Sequence, residues 1–265
     1  MDIVAVIAAA AMIGITGLLI GLLLGIAGKK FAVEVDEREA QVREILPGNN
    51  CGGCGYAGCD AMAQAIAKGE APTNGCPVAG AEVAKKIAAI MGESAEETER
   101  QIAFVKCHGT CDKTKVKYNY YGVQDCRNAS MVPGKGDKAC NYGCMGFGSC
   151  VKVCPFDAIH ILDGVAVVDR EKCKACGKCI AVCPRHLISL VPYKAKIEVA
   201  CSSADKGPVT MKACATGCIG CGICVKNCPK EAIRVENFHA IIDEEKCVGC
   251  GICMQKCPKK AIIRV

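Results

Sequence analysis

Cysteine spacing sets the limits on what this chain can fold into. There are 25 cysteines in 265 residues, and most fall in short, regular runs. Three runs share the spacing C-x2-C-x2-C-x3-C-P: Cys173, Cys176, Cys179, Cys183-Pro184; Cys218, Cys221, Cys224, Cys228-Pro229; and Cys247, Cys250, Cys253, Cys257-Pro258. A disulfide scaffold fits poorly. Such scaffolds are small secreted domains without regular Cys-x-x-Cys runs ahead of proline, and the cysteine total here is odd. Three thiolates at two-residue gaps, followed by a fourth and a proline, suit the corners of a [4Fe–4S] cube instead. Aromatic residues make up only 4% and Trp is absent, so one large apolar core is out of reach. Inorganic clusters would then organise several small domains, as structural metals do.

In two-cluster ferredoxins the first three cysteines of a run bind one cluster and the fourth binds the other. The spacing predicts one [4Fe–4S] cluster on Cys218, Cys221, Cys224 and Cys257 and a second on Cys247, Cys250, Cys253 and Cys228. Upstream, the chain repeats with an offset of 74: Cys144, Cys150, Cys154, Cys173 and Cys183 fall on Cys218, Cys224, Cys228, Cys247 and Cys257 without a gap. Phe147 stands where the counterpart of Cys221 belongs. Cys140 is the nearest spare thiol, so Cys140, Cys144, Cys150 and Cys183 are expected to hold one cluster. Cys154, Cys173, Cys176 and Cys179 would hold its neighbour. The alternative is a three-ligand site with Phe147 filling space.

A fourth motif has a different spacing, Cys51-x2-Cys54-x4-Cys59-x16-Cys76-Pro77. Gly52, Gly53, Gly55 and Gly58 permit the close backbone approach that cluster sulfides need for N–H bonds. Four cysteines also suit zinc, but the glycine crowding and the neighbouring ferredoxin runs favour a cluster. Five clusters are therefore expected. Cys107, Cys111, Cys126, Cys201 and Cys214 are left over. Buried free thiols, a sixth cluster and a redox-active function all remain open for them. The offset of 74 also takes Cys140 to Cys214, and Cys126 and Cys201 match one residue out of step.

The formal charge of +6 counts every cysteine as a neutral thiol. Each cluster with its four thiolates adds about −2, so five move the total to roughly −4. Apparent basicity then gives no ground for a nucleic-acid partner.

Ile3 to Ala27 carries no charge, and Thr16 is its one polar residue. At 1.5 Å per residue it is long enough to span a bilayer. A cleaved signal peptide would want a positive leading region and a shorter apolar core; here Met1-Asp2 leads. Lys29 and Lys30 follow the span, which puts the cluster domains on the cytoplasmic side by the positive-inside rule. Gly17, Gly21 and Gly25, with Ala10 and Gly14 alongside, form a small-residue stripe suited to docking on other membrane helices.

The expected fold is α+β. It comprises a transmembrane anchor (1–28), a small helical [4Fe–4S] domain (29–93), a linker with extra cysteines (94–136), a ferredoxin-like (βαβ)2 double-cluster module (137–192), a connector (193–213) and a second such module (214–265). Helices are expected over 34–46, 60–68 and 79–91, with a polar helical stretch over 92–101. Strand pairs are expected at 158–161 with 165–168, and at 232–235 with 239–242. His108, His160, His186 and His239 lack ligand spacing. No Rossmann fingerprint, P-loop or nucleophile triad is present, so the chain reads as an electron relay without a bond-making site.

The order of an uncharged span, the C-x2-C-x4-C-x16-C-P motif and the ferredoxin modules resembles the B subunit of the Rnf complex, in its long form with two double-cluster modules. The resemblance covers essentially the whole chain. It is carried most specifically by that first motif and by Cys140-Asn-Tyr-Gly-Cys144-Met-Gly-Phe-Gly-Ser-Cys150. It implies membership of a hetero-oligomeric ferredoxin:NAD oxidoreductase in the cell (inner) membrane, coupled to Na+ or H+ translocation, with flavin on other subunits. In that setting this chain would accept electrons from soluble reduced ferredoxin and pass them to membrane partners. Lys174, Lys178, Arg185, Lys226, Lys230, Lys256, Lys259 and Lys260 would steer an acidic ferredoxin, or would simply be solvated. A wire in another membrane redox enzyme and a structural cluster protein are the competing functions.

Overall fold

The computed structural model describes residues 3–30, 36–94 and 99–265. Helix α1, Ile3–Lys30, is apolar on every side and ends in Lys29 and Lys30. Within it, Ala11–Lys30 has a mean hydropathy of 2.2 and none of it is buried in the chain. Among the described residues it is the one helix long and apolar enough to cross a membrane. A Cβ added at Gly14, Gly17, Gly21 or Gly25 would meet no atom within 4 Å, so the small-residue stripe faces open space.

A three-helix unit follows: α2 (Glu37–Ile45), α3 (Cys59–Ala67) and α4 (Gly80–Met91). The Asp36 carboxylate caps α2 by accepting the Arg38 N–H at 2.9 Å, which satisfies one orphan donor of the first turn. Residues 34 and 35, the expected start of this helix, lie outside the described residues. Val42, Met62, Ala63, Ile66 and Ile87 form the core between the three helices. Gly92, at φ +71°, closes α4 in the left-handed conformation that favours glycine. The expected polar helix over 92–101 meets a helix end at Gly92 and a strand start at Gln101; residues 95–98 lie outside the described residues.

The rest of the chain contains one strand-and-helix arrangement twice. The first copy comprises β1 (Gln101–Val105), α5 (Cys126–Met131), α6 (Ser149–Lys152), β2 (Ile159–Leu162), β3 (Val165–Val168), α7 (Lys178–Val182) and β4 (Ile188–Pro192). The second comprises β5 (Ile197–Val199), α8 (Gly207–Ala213), α9 (Ile223–Lys226), β6 (Ile233–Glu236), β7 (His239–Ile242), α10 (Ile252–Lys256) and β8 (Ile262–Arg264). In each copy the first and last strands pair antiparallel: β1 with β4 (Ile102↔Val191) and β5 with β8 (Glu198↔Ile263). The middle strands form a hairpin, β2 with β3 and β6 with β7. Both hairpins turn through two residues at positive φ, Asp163-Gly164 and Asn237-Phe238, the geometry that matches strand twist. β-Branched runs such as Val165-Ala-Val-Val suit these half-buried ribbons.

The cores are small. Ile102, Val105, Ile159, Val165, Leu187 and Ile188 fill the first copy, and Ile263 and Val265 of the second pack against it. Ile197, Val199, Ile233, Ile242 and Ile262 fill the second. Cysteines sit inside both clusters, as expected where inorganic groups supply part of the core.

Candidate metal centres

Each C-x2-C-x2-C loop turns into a short helix through a glycine at positive φ. Gly177 (+76°), Gly222 (+71°) and Gly251 (+82°) precede α7, α9 and α10. This left-handed step is costly for any residue with a Cβ. It buries the third cysteine of each run, Cys179, Cys224 or Cys253, in the first turn of the helix. The fourth cysteine, followed by proline, ends or follows that helix. At Cys228 and Cys257 the sulfur faces a backbone donor, the Ala232 or Ala261 N–H, at 3.3 and 3.4 Å, and Cys154, which closes the upstream run containing Phe147, receives the Ala158 N–H at 3.4 Å in the same way. Ala103 and Ala240 N–H donate likewise to Cys173 and Cys218. Such bonds stabilise a thiolate and lower the electron density on cluster sulfur.

The structure gathers these thiols in fours. Cys218, Cys221, Cys224 and Cys257 line one cavity; Cys228, Cys247, Cys250 and Cys253 line a second; Cys154, Cys173, Cys176 and Cys179 line a third. In the three-helix unit, Cys59 opens α3 with its N–H bound to Asn50 Oδ1 at 2.8 Å. Burial pushes the Cys76 thiol up, and Cys54 and Cys51 are near enough to push the same way.

One expected set, Cys140, Cys144, Cys150 and Cys183, is not brought together in one cavity. Cys144, Cys150 and Cys183 share their cavity with Cys126, not with Cys140. The physical reason is a hook. The Asp125 carboxylate caps α5, accepting from the Arg127 and Asn128 N–H groups at 2.9 and 3.2 Å, and it also accepts from Ser149 Oγ at 2.7 Å. Ser149 Oγ in turn receives the Cys126 N–H at 2.8 Å. Ser149 precedes Cys150, so the hook brings Cys126 to that ligand set. Phe147 points elsewhere and packs on Tyr120, ring centroids 5.3 Å apart. Its flanking glycines nevertheless keep the ferredoxin loop: Gly146 and Gly148, at +81° and +72°, match Gly220 and Gly222 at +64° and +71°. Cys140 lies instead in a cavity with Cys107, Cys201 and Cys214, where His108 is also found. Sequence distance misleads here, because the stretch from Cys107 to Cys140 is longer than the matching stretch from Cys201 to Cys214, and Cys126 sits within the added length. Cys111 is exposed and lines none of these five cavities.

Burial pushes Cys150, Cys179 and Cys201 up to about 12, and Cys224 to about 11; in each, neighbouring cysteines push the same way. Thiols this buried become thiolates only beside strong positive charge, which iron supplies. Among the described residues, no three His, Cys, Asp or Glu side chains are grouped as a single ion requires. A cube of iron and sulfide would take one thiolate at each of its four corners. The free space at the five cavities, including the part open to solvent, is similar, from about 320 to about 390 Å³.

Comparison with known proteins bears on these centres. Residues 46–78 match the family described as a putative Fe-S cluster, and residues 217–262 and 172–232 match 4Fe-4S dicluster domains. Residues 140–194 match the LdpA Fe-S cluster-binding domain. The chain is 47% identical over 243 residues to the B subunit of the Na(+)-translocating ferredoxin:NAD(+) oxidoreductase complex of Acetobacterium woodii, covering 91% of this chain and 73% of that protein. It is 44% identical to the B subunit of the ion-translocating oxidoreductase complex of Methanosarcina acetivorans, covering 87% of each. It is 45% identical to the B subunit of the proton-translocating ferredoxin:NAD(+) oxidoreductase complex of Clostridium ljungdahlii, covering 87% of this chain and 81% of that protein.

Proposed function

The chain belongs to the family of B subunits of ion-translocating oxidoreductase complexes, and from that premise we propose that it accepts electrons from reduced ferredoxin and relays them to membrane partners. It is an iron–sulfur electron-transfer subunit of such a complex. When bound, the clusters supply one-electron chemistry without bond making, and the protein sets their spacing and potential. The ligand sets proposed are Cys51, Cys54, Cys59 and Cys76; Cys154, Cys173, Cys176 and Cys179; Cys126, Cys144, Cys150 and Cys183; Cys218, Cys221, Cys224 and Cys257; and Cys228, Cys247, Cys250 and Cys253. Helix α1 is the single membrane anchor in this reading, with the cluster domains cytoplasmic. The anchor, the three-helix unit and the two (βαβ)2 modules are its domains.

The observation that carries the relay reading is that successive sets abut. A Cβ on Gly53 would lie 2.7 Å from the Cys176 carbonyl oxygen, so the first ligand loop rests against the ligand loop at 173–179. Cys150 lies close enough to Cys179 for their charges to interact. Electrons thus have short steps from the three-helix unit into the first module.

The test is stopped-flow mixing of the anaerobic, full-length chain with reduced ferredoxin, together with a redox titration followed by EPR. Reversible reduction of the clusters by ferredoxin is expected. Clusters that stay oxidised with ferredoxin, yet are reduced by dithionite, would overturn the donor assignment. Clusters that never reduce reversibly would leave only the structural reading.

A further inference from the structure

Four cysteines absent from those sets, Cys107, Cys140, Cys201 and Cys214, line one cavity between the two copies. Their origins are paired. Cys107 follows β1 by two residues and Cys201 follows β5 by two. Cys140 and Cys214 each precede the first cysteine of a ligand run, Cys144 or Cys218, by four residues. The pairing extends to hydrogen bonds. The Cys144 N–H donates to Cys107 Sγ at 3.3 Å, and the Cys218 N–H donates to Cys201 Sγ at 3.2 Å. Each copy therefore contributes the same two thiols from the same two positions to one shared centre. Spare buried thiols give no reason for such a convergence.

Residues 113–117 hold the halves together. Lys115 N–H donates to the Ala213 carbonyl at 3.0 Å and Ala215 N–H to the Lys113 carbonyl at 2.7 Å. On the other side, Ala139 N–H donates to the Lys115 carbonyl and Lys117 N–H to the Asp137 carbonyl, both at 2.7 Å. This small ladder clamps Cys214 to Cys140.

The residues present fit a cluster. A Cβ on Gly109 would lie 2.5 Å from Thr114 Oγ1 and 3.3 Å from Cys214 Sγ, and one on Gly143 would lie 3.4 Å from Cys140 Sγ. Backbone thus lies within van der Waals reach of these sulfurs. The free space of about 390 Å³ compares with about 320 to 370 Å³ at the four other cavities. Lys138 also lines the cavity and is only 4% exposed. Its ammonium donates to the Gly109 and Gly164 carbonyls at 3.1 and 2.6 Å. Among the described residues no carboxylate forms an ion pair with it. A buried cation without an anion is costly, and a four-thiolate cluster of net charge about −2 supplies one.

We propose that Cys107, Cys140, Cys201 and Cys214 hold a sixth [4Fe–4S] cluster that joins the two modules into one conductor. This rests on the cluster reading above. Through Cys144 it adjoins the set in the first module, and through Cys218 the set in the second. Each step moves one electron: the donor cluster is oxidised by one and the acceptor reduced by one, and no bond forms or breaks. Cys111 is then the one cysteine of the chain outside a ligand set.

The test is iron and sulfide content with EPR spin counting on the anaerobic full-length chain. The wild type is expected to hold about 24 iron atoms. Cys201→Ala and Cys214→Ala are each expected to hold about 20, and so is the double variant, because both remove one site. Cys111→Ala should stay at the wild-type value. A wild type with about 20 iron atoms, unchanged by either substitution, would overturn the sixth site and leave the proposed function standing. A wild type with about four or fewer would overturn the cluster reading as a whole. Should the cysteine variants fail to accumulate, Lys138→Met serves on the intact ligand sets. It is expected to keep its iron and to lower the midpoint potential of one or two centres. Potentials unchanged at every centre would overturn the site.

Discussion

The fourth ligand of the Cys144, Cys150 and Cys183 set is open to a rescue experiment. Cys126→Ala removes the thiol that the Asp125–Ser149 hook delivers to this cavity. The site then keeps three thiolates, and about four of about 24 iron atoms should be lost. Phe147→Cys, added to that variant, should restore them. The loop around residue 147 has the backbone of the loop around Cys221, with both flanking glycines left-handed in each. A thiol at 147 is therefore presented as Cys221 is. The substitution forfeits the ring contact with Tyr120, which is worth about 0.5 to 1.5 kcal/mol. A four-ligand iron–sulfur centre contributes far more, since bound metal is itself folding free energy. Iron content, sulfide content and spin count on the full-length chain provide the readout. The sequence of values expected is about 24 for the wild type, about 20 for Cys126→Ala and about 24 for the double variant. The same rescue should fail in Cys140→Ala, because that thiol belongs to the neighbouring cavity. If Phe147→Cys restored iron to Cys140→Ala and not to Cys126→Ala, the placement of both cysteines would be refuted.

Three further outcomes are expected. Glu198 is buried, and burial together with nearby Glu244 raises its carboxyl to about 7. Stability from this group is full below the usual carboxylate range and is lost as pH rises through about 7, a loss of roughly 1 kcal/mol between pH 6 and 8; Glu198→Gln should flatten that slope in anaerobic urea titrations, and an unchanged slope would count against it. Gly53→Ala places a Cβ against the Cys176 backbone, so hydrogen exchange at residues 173–179 should quicken while iron content holds; equal protection would mean the two loops do not rest on each other. Charge reversal at Lys256, Lys259 and Lys260 should slow electron uptake from ferredoxin, more at low salt than at high. Stopped-flow rates equal at every ionic strength would exclude steering through this patch.

Local spacing makes much of the chain legible. The run at 218–228 and the run at 247–257 carry their geometry in consecutive residues, and so does the motif at 51–76, whose helices are observed at Cys59–Ala67 and Gly80–Met91 against the expected 60–68 and 79–91. The hairpins are readable from alternation and turn residues. What stays hidden depends on distant segments. Ile102, Ala103, Phe104 and Val105 form a buried strand, yet in sequence they merge with a polar linker because their partner, Ile188–Pro192, lies far downstream. The same holds for Cys107 and Cys201, whose equivalence rests on strands β1 and β5 and not on the offset of 74. Added length in the first copy breaks that register upstream of Cys140, so the near match of Cys126 with Cys201 is a coincidence, and Cys126 looks unconnected to Cys150.

The basic residues divide by position, and the division bears on how the relay is tuned. Arg185, counted from sequence among the cations that would meet a partner, is only partly exposed. It donates to the carbonyls of Cys140 (2.9 Å), Gly143 and Lys135. Burial pulls its pKa down, and the nearby thiolates of Cys140, Cys144, Cys107 and Cys126 push it back up. Lys138, too, interacts with the charge of Cys107 and Cys144. Both cations thus lie beside cysteines of two proposed sets, Cys107 and Cys140 in one and Cys126 and Cys144 in the other, and two like-charged centres side by side would need positive charge between them. Lys174, Lys226, Lys230, Lys256 and Lys260 are exposed, where ions screen them within about 10 Å at ordinary salt. In the proposed relay the inner pair would act on reduction potential, with little dependence on salt, and the outer group on encounter rate, in proportion to its screening. Net charge merges these two roles into one number. Burial separates them, and it would make the proposed centre between the modules the step whose potential the protein's own cations most directly set.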